Sequence, residues 1–163
     1  MIIRLKNKDT LAVDEFHLKC CIGKKGLSSN KIEGDLTTPR GLFGIETLYF
    51  RKDRVEKTKC RIKKRIITKK IGWCDDSNHK KYNEEIRVFA NDGNTEKFYR
   101  RDHKYDYLIT ITHNNKKIPH KGSAIFIHLT DNYNPTAGCI ALKKKDFEII
   151  LKLIDNKTTI KLG

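Results

Sequence analysis

Nowhere in this chain do roughly 18 apolar residues follow one another, the length that a membrane-spanning helix needs. Residues 1–19 are interrupted by charge every few positions and lack the apolar run of a secretory signal, so the expectation is a cytoplasmic chain. No Cys-x-x-Cys occurs, which removes the usual structural zinc patterns. The five cysteines, Cys20, Cys21, Cys60, Cys74 and Cys139, are odd in number and irregular in spacing. Adjacent Cys20 and Cys21 could not easily bridge to each other, so the set reads as reduced thiols in a reducing compartment. Zinc-finger, RNP-type aromatic and helix-turn-helix patterns are missing too, as are internal repeats and low-complexity linkers.

What is present is charge, mostly of one sign. Thirty-five Lys and Arg face twenty Asp and Glu, a net charge of +15. That field favours polyanionic partners: nucleic acid, anionic wall polymers or membrane surfaces. The plainer reading is a solvated lysine-rich face. The basic residues are spread along the chain apart from a run at 57–70, and without a recognition motif nucleic acid is not the expected partner. The 163 residues suffice for one domain, 1–163, with a core of its own.

Short β-branched and aromatic runs bounded by Gly, Asn, Asp or Pro predict strands at 2–5, 16–22, 43–50, 61–68, 107–112, 124–129 and 158–162. One helix is predicted over 144–154, where Phe147, Ile150, Leu151 and Ile154 fall at i, i+3, i+4 and i+7. Residues 72–98 are polar and turn-rich, and too long for a plain loop. The fold class is therefore mainly β, with one helix towards the C-terminus and a long mid-chain insert.

The segment from Gly122 to Leu142 carries the chemistry. A strand ends near His128, a polar turn follows, and Thr136-Ala137-Gly138-Cys139 opens a second apolar run that reads as a returning strand. That arrangement brings His128 and Cys139 together. A thiol of pKa ~8.5 is only a few per cent thiolate at neutral pH, and an imidazole beside it can take its proton. Gly138 leaves the backbone beside the thiol open, so that N–H groups could meet a developing oxyanion, and Thr136 could orient a ring or the substrate. The plainer alternative is a small buried Cys and a core His.

The same stretch resembles the active-site motif of the L,D-transpeptidase catalytic domain (YkuD-like) family, in which a His precedes Ser/Thr-x-Gly-Cys by a short turn. It maps onto His128, Thr136, Gly138 and Cys139. Residues 33–43, Glu-Gly-Asp-Leu-Thr-Thr-Pro-Arg-Gly-Leu-Phe, resemble the family's Thr-Pro-x-Gly-x-Phe segment and read as a tight turn entering a strand. Segments 20–26, 72–76, 82–83, 105–106 and 122–126 resemble short chains of the family in the same order. The motif departs from the family at Ala137, commonly His, and at Ala141, commonly Arg.

The resemblance implies a β-sandwich or barrel, and a cysteine acyl-transfer enzyme acting on peptidoglycan stem peptides. Cys139 would be the nucleophile and His128 the base, with no metal or organic cofactor. It also implies a periplasmic or cell-wall site of action, against the cytoplasmic expectation from the N-terminus. Trp73, Asp75, Asp76, Tyr82 and Asn83 are the candidate substrate wall, paired carboxylates suiting an ammonium and Trp73 offering a flat apolar face. Asn114 could line the same pocket, with His113 read as a turn residue. Asp75, Asp76 and Asn78 lack the Gly and Glu of a calcium loop. Two other readings stand beside this one: an L,D-carboxypeptidase or other muropeptide hydrolase on the same fold, and a non-catalytic basic module binding nucleic acid or wall polymer.

Overall fold

Strand β1 (Ile2–Lys6) buries Ile3 and Leu5 and exposes the residues between them, the period-two pattern of a strand with one face on a core. The computed structural model describes residues 1–56, 59–89 and 95–163. β2 (Thr10–Val13) and β3 (Phe16–Cys21) follow β1 as an antiparallel meander. Two-residue strands β4 (Leu27–Ser28) and β5 (Thr38–Pro39) pair in parallel and lead into β6 (Gly41–Phe50). β7 (Lys63–Ile66), β8 (Ile71–Cys74), β9 (Glu85–Arg87), β10 (Thr95–Lys97), β11 (Tyr107–Ile111), β12 (Phe126–Leu129) and β13 (Ile140–Leu142) come next. Helix α1 (Lys144–Leu153) and β14 (Thr159–Leu162) end the chain.

Nine strands form one sheet in the order β11-β12-β13-β3-β2-β1-β14-β6-β7. Long β6 closes it. Its first residues pair with β14, while its later ones pair with β7 on one edge and β11 on the other. The β6–β11 pairing joins the two ends of the sheet into a barrel-like arrangement, which covers edges that would otherwise stay open. With 40% strand and 6% helix the fold is mainly β, as the sequence predicts.

Each of the seven predicted strands has a counterpart, with ends shifted by one or two residues. The returning strand after Cys139 also forms, but not as a hairpin. β13 runs parallel to β12, with Ile127 opposite Ile140 and His128 opposite Ala141, so residues 130–139 loop back outside the sheet before β13 begins. The helix ends one residue early, at Leu153, and Ile154 caps it through an N–H to the Ile150 carbonyl. The 72–98 insert contains a second small sheet, β10-β8-β9. Its residues 90–94 lie outside the described ones, as do 57 and 58 of the basic run.

All positions of β11 and β12 are buried, because both faces of these strands are covered. Ile109 and Ile127 point into a large, mostly aliphatic core, which also takes Phe147, Ile150 and Leu151 of α1. Leu108 and Phe126 point the other way, into a smaller cluster with Tyr49, Phe98 and Tyr105. Trp73 and Cys139 pack against that second cluster.

Candidate active site

Directly paired residues share a face of a sheet. The register therefore sets Leu108, His128, Ala141 and Cys21 in a row across β11, β12, β13 and β3. Cys139 sits just ahead of β13. Its Sγ accepts a hydrogen bond from Phe126 N–H at 3.3 Å and donates to the Ala124 carbonyl at 3.2 Å. The thiol is thereby held against the start of β12, on the strand that carries His128.

The His128 ring is oriented from its other side. Nδ1 lies 2.8 Å from the Leu129 carbonyl, so Nδ1 carries the proton and Nε2 is left as the acceptor. The Tyr105 ring meets the imidazole edge-on, with centroids 5.2 Å apart. Tyr105 is fixed in turn by donating its hydroxyl to Glu96 at 2.7 Å. Burial pushes His128 down to about 4, with Lys104 and Arg100 adding to the effect. Burial pushes the Cys139 thiol up to about 12, aided by the charge of Glu96 and opposed by Phe126 N–H and Lys31. Burial thus favours the uncharged form of each group, thiol and imidazole.

The turn before Cys139 is bolted at three points. Thr136 Oγ1 accepts from Gly138 N–H at 3.1 Å and donates to the Cys139 carbonyl at 2.6 Å. The Thr136 backbone bonds to Ile22 and Lys24 at 2.9 Å each. Thr38 Oγ1 donates to the Gly138 carbonyl at 2.7 Å and accepts from Gly23 N–H at 2.8 Å. Gly138 has φ +154°, and a Cβ there would stand 2.8 Å from the Thr37 carbonyl oxygen, so no larger residue fits. Its N–H is committed to Thr136 within the turn.

Asn83 is a bracket. Its Oδ1 accepts from Trp73 Nε1 at 2.9 Å and from Ala124 N–H at 3.1 Å, and its Nδ2 donates to the His113 and Asn114 carbonyls at 3.0 Å each. One amide thus ties the insert to the backbone whose carbonyl receives the thiol proton. Ala124 has φ +52°, in the left-handed region that disfavours a side chain, a local strain of about 1–2 kcal/mol that this bracket helps to hold. Asn114 is committed likewise, bonding Ile118 twice and Gly122 once.

Buried Tyr82 donates to Glu33, which also accepts from Ser123 Oγ at 2.7 Å. Asp75 is half-buried. Burial raises its pKa, and the nearby charges of Glu33 and Asp76 raise it further. Asp76 caps its own turn through Asn78 N–H at 2.9 Å. Trp73 stacks on Phe98 and meets Phe126 edge-on. With Asn83, Tyr49 and His113 it lines a polar groove of about 400 Å³. A second cleft, of about 250 Å³, opens onto His128.

The sequence reading does not single out Thr38, Glu33, Tyr105, Glu96 or Lys31, all of which contact or flank this constellation. Thr38 and Glu33 belong to the 33–43 segment, which was read only as a turn. Lys31 is buried, ion-paired with Asp35, and its Cε lies 3.8 Å from where a Gly138 Cβ would be.

No curated protein and no solved structure matches this chain. Among the described residues no helix is long and apolar enough to cross a membrane. The family model for the L,D-transpeptidase catalytic domain (YkuD) matches residues 3–162, nearly the whole length. The chain therefore belongs to that family of cysteine-dependent enzymes of peptidoglycan peptides.

Proposed function

We propose that the protein transfers acyl groups of peptidoglycan stem peptides through a thioester on Cys139, with His128 as general base. The observation that carries this reading is the paired anchoring of the two groups. The thiol is held by Phe126 N–H and the Ala124 carbonyl, and the ring is turned by the Leu129 carbonyl so that Nε2 is the free nitrogen.

Because both groups start neutral, the proton moves as the bond forms. Sγ attacks the carbonyl on the L-centre of the third-position diamino acid while Nε2 takes the thiol proton. The negative charge that develops on the carbonyl oxygen is met by the Cys139 amide. Collapse expels the terminal D-residue as an amine, which receives the proton from His128. An acceptor amine then takes the acyl group from sulfur, losing its proton to Nε2, which passes it to the departing sulfur, so the cross-link forms and the thiol is restored. Asp75 and Asp76 are assigned to a stem-peptide ammonium, which suits a carboxylate held in a half-buried site. Trp73 supplies an apolar wall. Tyr82, Asn83 and Asn114, whose polar atoms are already engaged by the protein, act by positioning that wall.

The test is incubation with disaccharide-tetrapeptide, followed by product analysis and intact protein mass. Loss of the terminal D-residue with a thioester adduct in the wild type, and neither in Cys139→Ala, is the expected outcome. Peptide dimers identify a transferase, and tripeptides alone identify a hydrolase. An unchanged tetrapeptide with both proteins refutes the reading.

A further inference from the structure

The cleft beside His128 is asymmetric in charge. Ala141, the register neighbour of His128, lines it together with Thr136 and Ala137 of the nucleophile turn. The segment between β10 and β11 adds Arg100 and Lys104 to the lining. These two cations differ. Arg100 is held by both oxygens of Asp102, at 2.7 and 3.0 Å, and lies 3.9 Å from Glu96, so carboxylates of the protein already answer its charge. Lys104 is exposed and, among the described residues, forms no direct ion pair, its charge reaching Asp102 only at longer range. Its backbone is fixed at both ends, N–H to Asp102 Oδ1 at 3.1 Å and carbonyl to Leu129 N–H at 2.9 Å. That second bond ties Lys104 to the residue following His128.

We infer that this cleft is the leaving-group and acceptor subsite, and that Lys104 binds there the carboxylate next to the reacting amine. The inference rests on the proposed acyl transfer. The amine that departs must receive its proton from His128, and the amine that replaces it must give one up at the same nitrogen, so both occupy the side of the thioester that His128 faces. In a stem peptide the departing amine belongs to a terminal D-residue whose carboxylate is one carbon away. An acceptor amine on the D-centre of a diamino acid has the same neighbour. A single lysine in the cleft's lining serves both. It also supplies from outside the motif a cation that Ala141, in place of the family's usual Arg, does not.

The experiment compares the tetrapeptide with its C-terminal carboxamide on wild type, Lys104→Ala and Lys104→Arg. A charge-assisted contact of this kind is worth about tenfold. Lys104→Ala is expected to lower kcat/KM on the acid about tenfold, through KM because the contact is already made before the transition state. It should have little effect on the amide, and Lys104→Arg should retain most of the activity. Equal losses on acid and amide, or no loss on either, overturn the subsite. Sources are separated by varying the acceptor: a free D-amino acid against its amide reports the acceptor carboxylate alone. A second readout is independent of peptidoglycan, namely the ratio of Cys139 alkylation rates by iodoacetate and iodoacetamide, read at that residue by peptide mapping. The ratio should fall severalfold in Lys104→Ala and stay unchanged in Lys152→Ala, which alters net charge equally on the far helix. If the wild type leaves the tetrapeptide intact while the ratio still depends on Lys104, the anion subsite stands and the substrate reading fails. If the ratio ignores Lys104, the subsite is refuted whatever the peptide does.

Discussion

The two hydrophobic clusters of this barrel lie back to back across β11 and β12 and are built on different principles. The larger is mostly Ile, Leu and Val with the buried face of α1, and its main directional feature is Phe147 stacked on Tyr107 at 5.6 Å. The smaller is made of rings, and its polar tips are tied. Tyr49 bonds to Glu85, Tyr105 to Glu96 and Trp73 to Asn83. An aliphatic core tolerates substitutions that conserve volume, because dispersion and burial have no preferred direction. A cluster of ring edges and hydrogen-bonded tips has fixed angles and little freedom to repack. Cys139 and His128 both lean on the second cluster. Both clusters hold the fold, and alignment of the two reactive groups depends on the second.

The largest test of this division removes the chemistry alone. Cys139→Ala should abolish peptide turnover, and His128→Asn should lower kcat by about 10²–10⁴-fold, while Cys139→Ala leaves the melting temperature nearly unchanged. Next come Phe147→Ala and Phe98→Ala, one from each cluster and both fully buried. Each should cost about 3–5 kcal/mol in denaturant unfolding. Only Phe98→Ala should also change kcat and the rate of Cys139 alkylation, because Phe98 packs edge-on against Tyr105 and Phe126. A comparable change in thiol reactivity from Phe147→Ala would break the comparison.

Titration offers a smaller effect. His128 is neutral in the fold down to about 4 but binds a proton in the unfolded chain near 6.5. Between those values the unfolded state holds more protons, so the contribution of His128 to stability is lost as pH falls through that window, on the order of 3 kcal/mol in all. Glu96 and Asp75, raised by burial, act in the opposite sense. The quantity to measure is therefore the difference in unfolding free energy between wild type and His128→Asn across pH 4–7, which should flatten above about 7.

The smallest effect expected is at Asn83→Asp. It keeps both acceptor contacts and removes the two donors to His113 and Asn114. The loss should be about 1–2 kcal/mol, with kcat falling more than KM rises, since the 113–114 turn is no longer tied to the residue that braces Ala124. A change confined to KM would instead make Asn83 a substrate contact.

Much of the barrel can be read from the sequence, because its strands are β-branched or aromatic runs and α1 has a clean apolar stripe. β2 escaped because it is short, and β8 to β10 because they pair with one another inside a segment rich in charge and turns. The parallel direction of β13 could not be read from residue types at all, since it depends on the path of residues 130–139. Cys139 and His128 are legible because motif and base lie close in sequence. Thr38 reaches the same turn from 100 residues away. Asn83 shows the limit from the other side. Its position was found, but residue type does not reveal whether an amide faces a ligand or four groups of its own protein.

The neutrality of the thiol has a bearing on how such a protein survives storage and stress. Oxidants and adventitious electrophiles attack thiolates, and burial holds the Cys139 thiol towards its protonated form. The free protein should therefore meet oxidants and electrophiles more slowly at Cys139 than an exposed thiolate would. Acyl transfer needs no standing thiolate, because a carbonyl can receive the sulfur in the same step that His128 takes the proton.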